Sequence, residues 1–397
     1  ELSLTKLVEL SEPGAYELRA KYVWNGGVEN IESEPASLTL KPATPRPLHI
    51  VPSRGNLGTY YHVVWIHQPH PDKDARELRL AEIITLGKPR ARQLLMLAPL
   101  KQPVKPVLSV PPNASSGLSW AAWIDGENLN YLPWRDDSNC EPESIALPSR
   151  KSTIIPPLLL HYARANEQLP GAAALIYTRD ERGDGAELSV ALVQMEAKGG
   201  SKLLDPVRLE GPAPMWWRSV CTSDLRRHTF TLSSEGANGC TLNGCTWSAF
   251  KPPQRWNKLA GWNCRPIAAD LVLTAEDILY GAILGERTDP GSDRLAFFTW
   301  VMTPRGGFAA SGPIGIDWSG NGRVESAVVR SNALGSPFAL FREPAKDGPW
   351  RFVSDAGAVF PTPKFVRQPA DIVFRQRNDP TILYVEPNCG FRFVRPM

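Results

Sequence analysis

The chain has 397 residues, of which 42% are hydrophobic and 21% are charged, and this composition excludes a disordered chain and a collagen. Forty-four Lys and Arg against 41 Asp and Glu leave a net charge of +3, which argues against a nucleic-acid-binding protein. The 38 Pro and 31 Gly favour many short strands joined by turns. No apolar stretch approaches the roughly 18 residues of a membrane-spanning helix, so the sequence predicts no transmembrane segment.

Residues 1–42 predict a small β segment of their own. Apolar Tyr16, Leu18 and Tyr22 alternate with charged side chains, which gives the segment one apolar face. The phrase Glu-Pro-Gly-Ala-Tyr at residues 12–16, followed by a strand and a polar turn, resembles the last strands of an immunoglobulin-like β-sandwich. The predicted strands are 2–10, 14–24 and 31–40.

Three strands make only half of such a sandwich, which normally has about seven. The resemblance therefore implies that the other half precedes Glu1 or that another chain supplies it. An apolar sheet face of this size is only marginally stable in water, so we expect upstream sequence, the rest of the chain or another protein to cover it. The residues expected to bind such a partner are Leu4, Tyr16, Leu18, Tyr22 and Leu38.

Residues 43–47, Ala-Thr-Pro-Arg-Pro, predict a stiff linker, because proline cannot continue a strand ladder. From residue 48 to residue 397, short apolar strands recur as seven units of about 50 residues, each with four strands. This all-β pattern resembles a seven-bladed β-propeller. The units are predicted to start near Pro47, Pro106, Ile155, Met215, Ala268, Ile314 and Pro363.

A second resemblance lies in residues 240–247, Cys-Thr-Leu-Asn-Gly-Cys-Thr-Trp. They are similar to a degraded Asp-box, a hairpin turn of sialidase-like propellers, and they keep its Gly, Thr and Trp. Cys240 and Leu242 stand where that turn has Ser and Asp. The resemblance implies a propeller fold and a carbohydrate-binding or glycoside-processing alternative. It implies no catalytic residue, because the Asp-box lies away from the sialidase active site.

Six cysteines, none in a CxxC pair, leave the redox state open. Cys240 and Cys245 enclose an Asn-Gly, which predicts a tight hairpin turn that would bring the two sulfurs together. We therefore expect a disulfide between them and an extracytoplasmic protein, periplasmic or secreted. Six buried thiols in a cytoplasmic protein are the alternative. The sequence does not define the pairing of Cys140, Cys221, Cys264 and Cys389.

One loop has the spacing of a small calcium site. Asp317, Ser319, Asn321 and Glu325 place oxygen-bearing side chains around glycines, and such oxygens are the ligands that Ca²⁺ prefers. An ordinary polar hairpin explains the same pattern. Calcium is the one cofactor that the sequence suggests.

No catalytic set is defined by motif and spacing. We therefore expect a non-catalytic propeller that serves as a scaffold or interaction subunit of a larger assembly. The alternative is the carbohydrate-binding or sialidase-like propeller.

Overall fold

The protein is all-β. The computed structural model describes residues 14–19, 21–24, 29–40, 46–51, 60–67, 76–84, 90–100, 104, 107–109, 119–126, 128–134, 142–146, 152–162, 172–180, 187–194, 202–203, 207–209, 214–222, 226–236, 239–248, 256–274, 276–288, 294–320, 322–324, 326–344, 348–363, 369–375, 379–386 and 390–396. These residues form 33 strands and no helix. Within the same ranges, nothing has the length and apolarity of a membrane-spanning helix.

The N-terminal segment forms one interrupted hairpin. Its strands are β1 (Gly14–Leu18), β2 (Lys21–Trp24), β3 (Glu29–Glu32) and β4 (Ala36–Leu40). β1 pairs antiparallel with β4, and β2 pairs antiparallel with β3. The strand predicted over 14–24 is therefore broken between β1 and β2, where the pairing register shifts by one residue.

The residues predicted to bind a partner are only partly covered by the structure. Tyr16 lies opposite Leu38 in the β1–β4 pair, and Leu18 and Tyr22 lie on β1 and β2. Their side chains and the whole of Leu4 lie outside the described residues, so the prediction stays a prediction. On the other face of β1, the side chains of Ala15 and Glu17 are exposed.

The strands after residue 45 form seven successive antiparallel sheets in the described part of the chain. The first sheet has β5 (Arg46–Val51), β6 (Tyr60–His67), β7 (Arg76–Ile84) and β8 (Arg90–Leu100). The second has β9 (Val107–Ser109), β10 (Ser119–Asp125), β11 (Asn128–Trp134) and β12 (Glu143–Ala146). The third has β13 (Ser152–Tyr162), β14 (Ala172–Asp180), β15 (Glu187–Gln194), β16 (Lys202–Leu203) and β17 (Val207–Leu209).

The remaining four sheets continue the same meander. The fourth has β18 (Pro214–Cys221), β19 (Arg226–Glu235), β20 (Gly239–Ser248) and β21 (Asn257–Trp262). The fifth has β22 (Cys264–Leu273), β23 (Leu279–Arg287), β24 (Leu295–Met302), β25 (Phe308–Ala310) and β26 (Ile314–Ile316). The sixth has β27 (Ala327–Ser331), β28 (Pro337–Arg342), β29 (Trp350–Val353) and β30 (Val359–Pro361). The seventh has β31 (Pro369–Arg375), β32 (Asp379–Glu386) and β33 (Gly390–Val394).

One unit boundary differs from the sequence prediction. The strand at Ile314 does not open the sixth unit, because β26 pairs with β24 of the fifth sheet. The sixth sheet instead starts at Ala327. The strand predicted over 363–367 to open the seventh unit lies outside the described residues except for its first residue, and the three described strands of the seventh sheet start at Pro369.

The first strands of the seven sheets contact one another in a cycle. Each first strand has Cα atoms within 8 Å of the first strand of the next sheet, and β31 of the seventh sheet has such contacts with β5 of the first. The order of contacts is β5, β9, β13, β18, β22, β27, β31 and back to β5.

Alternation along the strands gives the fifth and the sixth sheet two apolar faces each, one for each neighbour. In β23, Ile283 packs in a core with residues of the fourth sheet, and the next residue, Leu284, packs in a core with residues of the sixth. In β28, Phe341 faces the fifth sheet and Leu340 faces the seventh. The cores therefore lie between sheets, as the period-two pattern requires.

Trp300 packs in the core between the fourth and fifth sheets. Its ring centroid lies 6.4 Å from those of Trp216 and Phe230 in the fourth sheet and 6.3 Å from that of Trp262. The ring covers Gly281 on the paired strand, and a Cβ there would overlap the indole. Glycine is therefore required at this position to admit the ring.

Four turns of the fifth and sixth sheets share one hydrogen-bond pattern. The first residue's N–H donates to the fifth residue's carbonyl, the fourth residue's N–H donates to the first residue's carbonyl, and the fifth residue's N–H donates to the first residue's side chain. The turns are 274–278, 303–307, 332–336 and 354–358. Their fourth residues have positive φ: Asp277 (59°), Gly306 (83°), Gly335 (84°) and Gly357 (83°). Each turn joins a first to a second or a third to a fourth strand, so all four lie at one end of their sheets.

Candidate functional site

The candidate site is a cluster of charged residues on four consecutive first strands. Arg218 lies on β18, Asp270 on β22, Arg330 on β27 and Asp371 on β31. We call these four residues the ring cluster. Each is a charged residue within a largely apolar strand, and charged side chains are buried at a cost unless they are paired.

Arg330 is the centre of the ring cluster. Its Nη2 donates a hydrogen bond of 2.9 Å to Oδ2 of Asp371, and its Nε lies 2.8 Å from Oδ1 of the same carboxylate without the alignment of a hydrogen bond. Its Nη1 lies 3.6 Å from Oδ1 of Asp270 and donates at 2.8 Å to the carbonyl of Val329. One guanidinium thus joins the fifth, sixth and seventh sheets.

Backbone groups position both carboxylates. The N–H of Ser331 donates to Oδ2 of Asp270 at 2.8 Å, so a side chain of the fifth sheet is bonded to the backbone of the sixth. The N–H of Ile372 donates to Oδ1 of Asp371 at 2.7 Å. The two carboxylates are therefore fixed by amide donors as well as by Arg330.

Burial controls the protonation of the cluster. It raises the pKa of Asp371 to about 6, and it outweighs the Arg330 guanidinium and the Ile372 amide, which both favour the carboxylate. Burial also opposes the charge of Arg330, but Asp371 and Asp270 outweigh it and raise the pKa of that guanidinium. The pKa of Arg218 is lowered by burial and by Arg330, against the two carboxylates. The ring cluster thus combines two basic and two acidic side chains.

A second ion-pair group fixes the segment that carries the candidate calcium loop. Nε of Arg265 donates to Oε2 of Glu286 at 2.8 Å, and Nη2 of Arg265 donates to the carbonyl of Val324 at 3.0 Å. The Val324 N–H donates to Oε1 of Glu286 at 3.3 Å. The same segment packs Trp318 against Phe341, with ring centroids 5.1 Å apart. These contacts anchor the segment to the fifth and sixth sheets.

The four calcium-loop residues are not brought together by the described coordinates. Asp317 and Ser319 are both exposed, while Asn321 and Glu325 lie outside the described residues. The Asp317 N–H donates to the carbonyl of Gly357 at 3.0 Å. Among the residues that the structure covers, no group of three His, Cys, Asp or Glu has metal-binding geometry. The calcium site stays a prediction.

The predicted disulfide between Cys240 and Cys245 is wrong. Both residues lie on the continuous strand β20, where Cys240 is opposite Ser234 and Cys245 is opposite Thr229. Five residues of extended strand separate the two cysteines by roughly 16 Å, far beyond disulfide reach. Both thiols are free and buried. Burial raises the pKa of the Cys245 thiol to about 12.

The physical reason is that the Asn-Gly at 243–244 is not a turn. A Cβ on Gly244 would lie 2.5 Å from Cδ1 of Leu259, which packs over this position from the neighbouring strand. The glycine therefore admits a side chain instead of reversing the chain. The Asp-box-like segment is thus strand, and the structure places no hairpin within it.

Comparisons with known proteins identify no family. No family model matches the chain, and no curated protein matches it. Among solved structures, an arginine-to-alanine mutant of AofleA from Arthrobotrys oligospora has 11% identity and a TM-score of 0.41 over 96% of this chain and 94% of that one. The fission yeast SREBP-SCAP binding domains have 12% identity and a TM-score of 0.38 over 88% of this chain and 90% of that one.

Sequence reasoning missed the ring cluster. A signal was present, because a charged residue within a short apolar stretch recurs in successive units, as in Ala-Ala-Asp-Leu-Val and Val-Val-Arg-Ser at residues 268–272 and 328–331. The displaced boundary of the sixth unit concealed the equivalence of these positions.

Proposed function

We propose that residues 48–397 form a seven-bladed β-propeller, joined by the linker 43–47 to an immunoglobulin-like segment at 1–42, and that the chain is a non-catalytic interaction subunit of a larger assembly. The cyclic contacts between the seven first strands support the propeller. The matching turns in successive sheets support a repeated blade.

The observation that carries the scaffold role is the ring cluster. Arg330 donates hydrogen bonds to Asp371 and to a backbone carbonyl, and it forms an ion pair with Asp270. Its charge therefore links three sheets. Both carboxylates are likewise bonded to backbone amides. Charged side chains that are paired with one another within the protein are typical of a rigid scaffold. They are less typical of a site that must bind and release a substrate.

We place the partner-binding surface on the apolar face of residues 1–42, formed by Leu4, Tyr16, Leu18, Tyr22 and Leu38. This face alternates with exposed Ala15, Glu17 and Arg19, so one side of the hairpin is polar. The other side must be covered, and a partner protein in an extracytoplasmic assembly provides that cover.

The test is native copurification from the organism that makes the protein, followed by mass spectrometry. The tagged full chain is compared with the double variant Tyr16→Ser, Leu18→Ser. A matched control, Glu17→Ser with Arg19→Ser, changes the exposed face of the same hairpin. We expect the full chain and the control to retain one set of partner subunits and the apolar double variant to lose them, with equal melting temperatures. Equal recovery by all three proteins would reject this surface.

A carbohydrate-binding propeller is the alternative, and three buried tryptophans speak against it. Trp123, Trp217 and Trp300 are each no more than 3% exposed, so they are used in packing and are not available to stack on a sugar ring. A glycan array probed with the full chain separates the two functions. Saturable binding to one glycan class without protein partners would replace the scaffold proposal.

A further inference from the structure

Two cysteines from neighbouring sheets meet in the core. Cys240 lies on β20 of the fourth sheet, and Cys264 is the first residue of β22 in the fifth sheet. Their Sγ atoms are 3.4 Å apart, and both residues are 0% exposed. The backbone brings them together, because Cys240 is opposite Trp262, and only Asn263 separates Trp262 from Cys264.

We propose that Cys240 and Cys264 form a disulfide that links the fourth and fifth sheets when the chain folds in an oxidising compartment. A disulfide needs sulfurs about 2.05 Å apart, so the two side chains must close by little more than 1 Å. β20 and β22 already have Cα atoms within 8 Å. This bond uses the sulfur of Cys240 and so excludes the predicted Cys240–Cys245 bridge, and it does not depend on the proposed scaffold role.

The surroundings favour this pair over the other described thiol. The contact with Cys264 lowers the pKa of Cys240 despite its burial, so Cys240 forms a thiolate more readily than an isolated buried cysteine. Cys245 is also buried, but burial raises its pKa to about 12, and it lies on β20 five residues from Cys240. Cys240 and Cys264 are therefore the two described thiols that the fold brings together.

The oxidant is a small or protein disulfide, R–S–S–R. The Cys240 thiolate attacks one sulfur of R–S–S–R, which forms a mixed disulfide and expels RS⁻. The Cys264 thiolate then attacks the Cys240 sulfur of the mixed disulfide and expels the second RS⁻. The two cysteines together lose two electrons and two protons, and R–S–S–R gains them to become two RSH.

Complete burial determines when the exchange occurs. Neither sulfur is open to R–S–S–R in the folded protein, so the bond forms before the fourth and fifth sheets have packed together. The two residues are only 24 positions apart, which makes their early meeting a local event. Once the two sheets have packed together, burial protects the disulfide from reductants.

The test is refolding of the full chain from denaturant in a buffer of reduced and oxidised glutathione. The protein is then denatured so that buried thiols become accessible, remaining thiols are blocked with N-ethylmaleimide, and the protein is digested and mapped by mass spectrometry without reduction. We expect a peptide pair that joins Cys240 to Cys264 and a maleimide on Cys245. The oxidised protein should also show a higher urea midpoint than the reduced one.

Two variants keep the result interpretable. Cys245→Ser should retain the linked peptide pair, and Cys240→Ser should leave Cys264 carrying maleimide. If either variant fails to fold, the map of the unchanged chain decides. Maleimide on both Cys240 and Cys264 after oxidative refolding, or a dominant pairing of either residue with a different cysteine, would overturn the proposal.

Discussion

Neighbouring sheets of this protein are joined in two different ways. The fourth and fifth sheets meet through an apolar core in which Trp300 contacts Trp216, Phe230 and Trp262. The fifth, sixth and seventh sheets also share apolar cores, but their first strands are joined in addition by Arg330 between Asp270 and Asp371. Apolar contact supplies stabilisation in proportion to buried area, whereas an ion pair with fixed donors also specifies which residues must face each other. The ring cluster therefore specifies how neighbouring first strands align, whereas the aromatic core stabilises the contact between two sheets.

The largest expected effect comes from removing the centre of the ring cluster. Arg330→Met keeps the side chain unbranched but makes it apolar. It therefore removes the cation that contacts the two buried carboxylates. We expect the free energy of unfolding to fall by about 3–5 kcal/mol, measured by urea denaturation with tryptophan fluorescence.

The control for this variant removes the charges together. Arg330→Met combined with Asp270→Asn and Asp371→Asn leaves no unpaired charge, so it should recover much of the lost stability. A triple variant as unstable as the single one would show that Arg330 acts through its packing and not through the two carboxylates.

The next effect is a pH dependence that belongs to Asp371. Its pKa is raised from 3.8 to about 6, mainly by burial. Between these values the folded chain binds a proton that the unfolded chain does not bind. The contribution of Asp371 to the free energy of unfolding therefore rises as the pH falls from about 6 towards 4, and it is constant above about 7. The full range is at most about 3 kcal/mol.

The comparison protein for this measurement is Asp371→Asn, which cannot take up the proton. The difference in unfolding free energy, wild type minus variant, should increase between pH 7 and pH 4.5. A difference that is the same at both pH values, or one that decreases towards pH 4.5, contradicts the assignment.

The smallest of the three effects tests the aromatic junction. Gly281→Ala places a methyl group where the Trp300 ring lies, so the ring must shift away from its neighbours in the fourth sheet. We expect a loss of about 2–3 kcal/mol in unfolding free energy, typical of an overpacked core. Gly312→Ala is the matched control, because a Cβ at exposed Gly312 meets nothing within 4 Å. Equal stability of the two variants would mean that the ring does not depend on Gly281.

The strands were predictable because their alternation is strong. The charge content of residues 73–86 suits a helix, but their alternation with a period of two predicts a strand, and the structure has β7 at Arg76–Ile84. Each apolar face proved to serve a different neighbouring sheet, as Ile283 and Leu284 illustrate. The sequence pattern of a single strand therefore indicates that both faces of its sheet are buried.

The sites were harder to predict because they depend on contacts between units. Asn243 and Gly244 have the sequence of a turn, yet the glycine exists to admit Leu259 from a neighbouring strand. Cys240 contacts Cys264 only because β21 pairs with β20 and ends opposite Cys240, so that β22 of the next sheet starts beside it. No spacing rule contains that information, whereas a map of paired strands does.

The contact between β31 and β5 also constrains the order of folding. These strands are roughly 320 residues apart in sequence, while every other contact in the cycle joins sheets that follow one another. Loop-closure entropy delays such a contact until the intervening sheets have formed. Until then, the faces of the first and seventh sheets that look towards each other have no neighbour. Synthesis from the N-terminus exposes the face of the first sheet for the longest time, which makes that face the point where aggregation competes with completion of the fold.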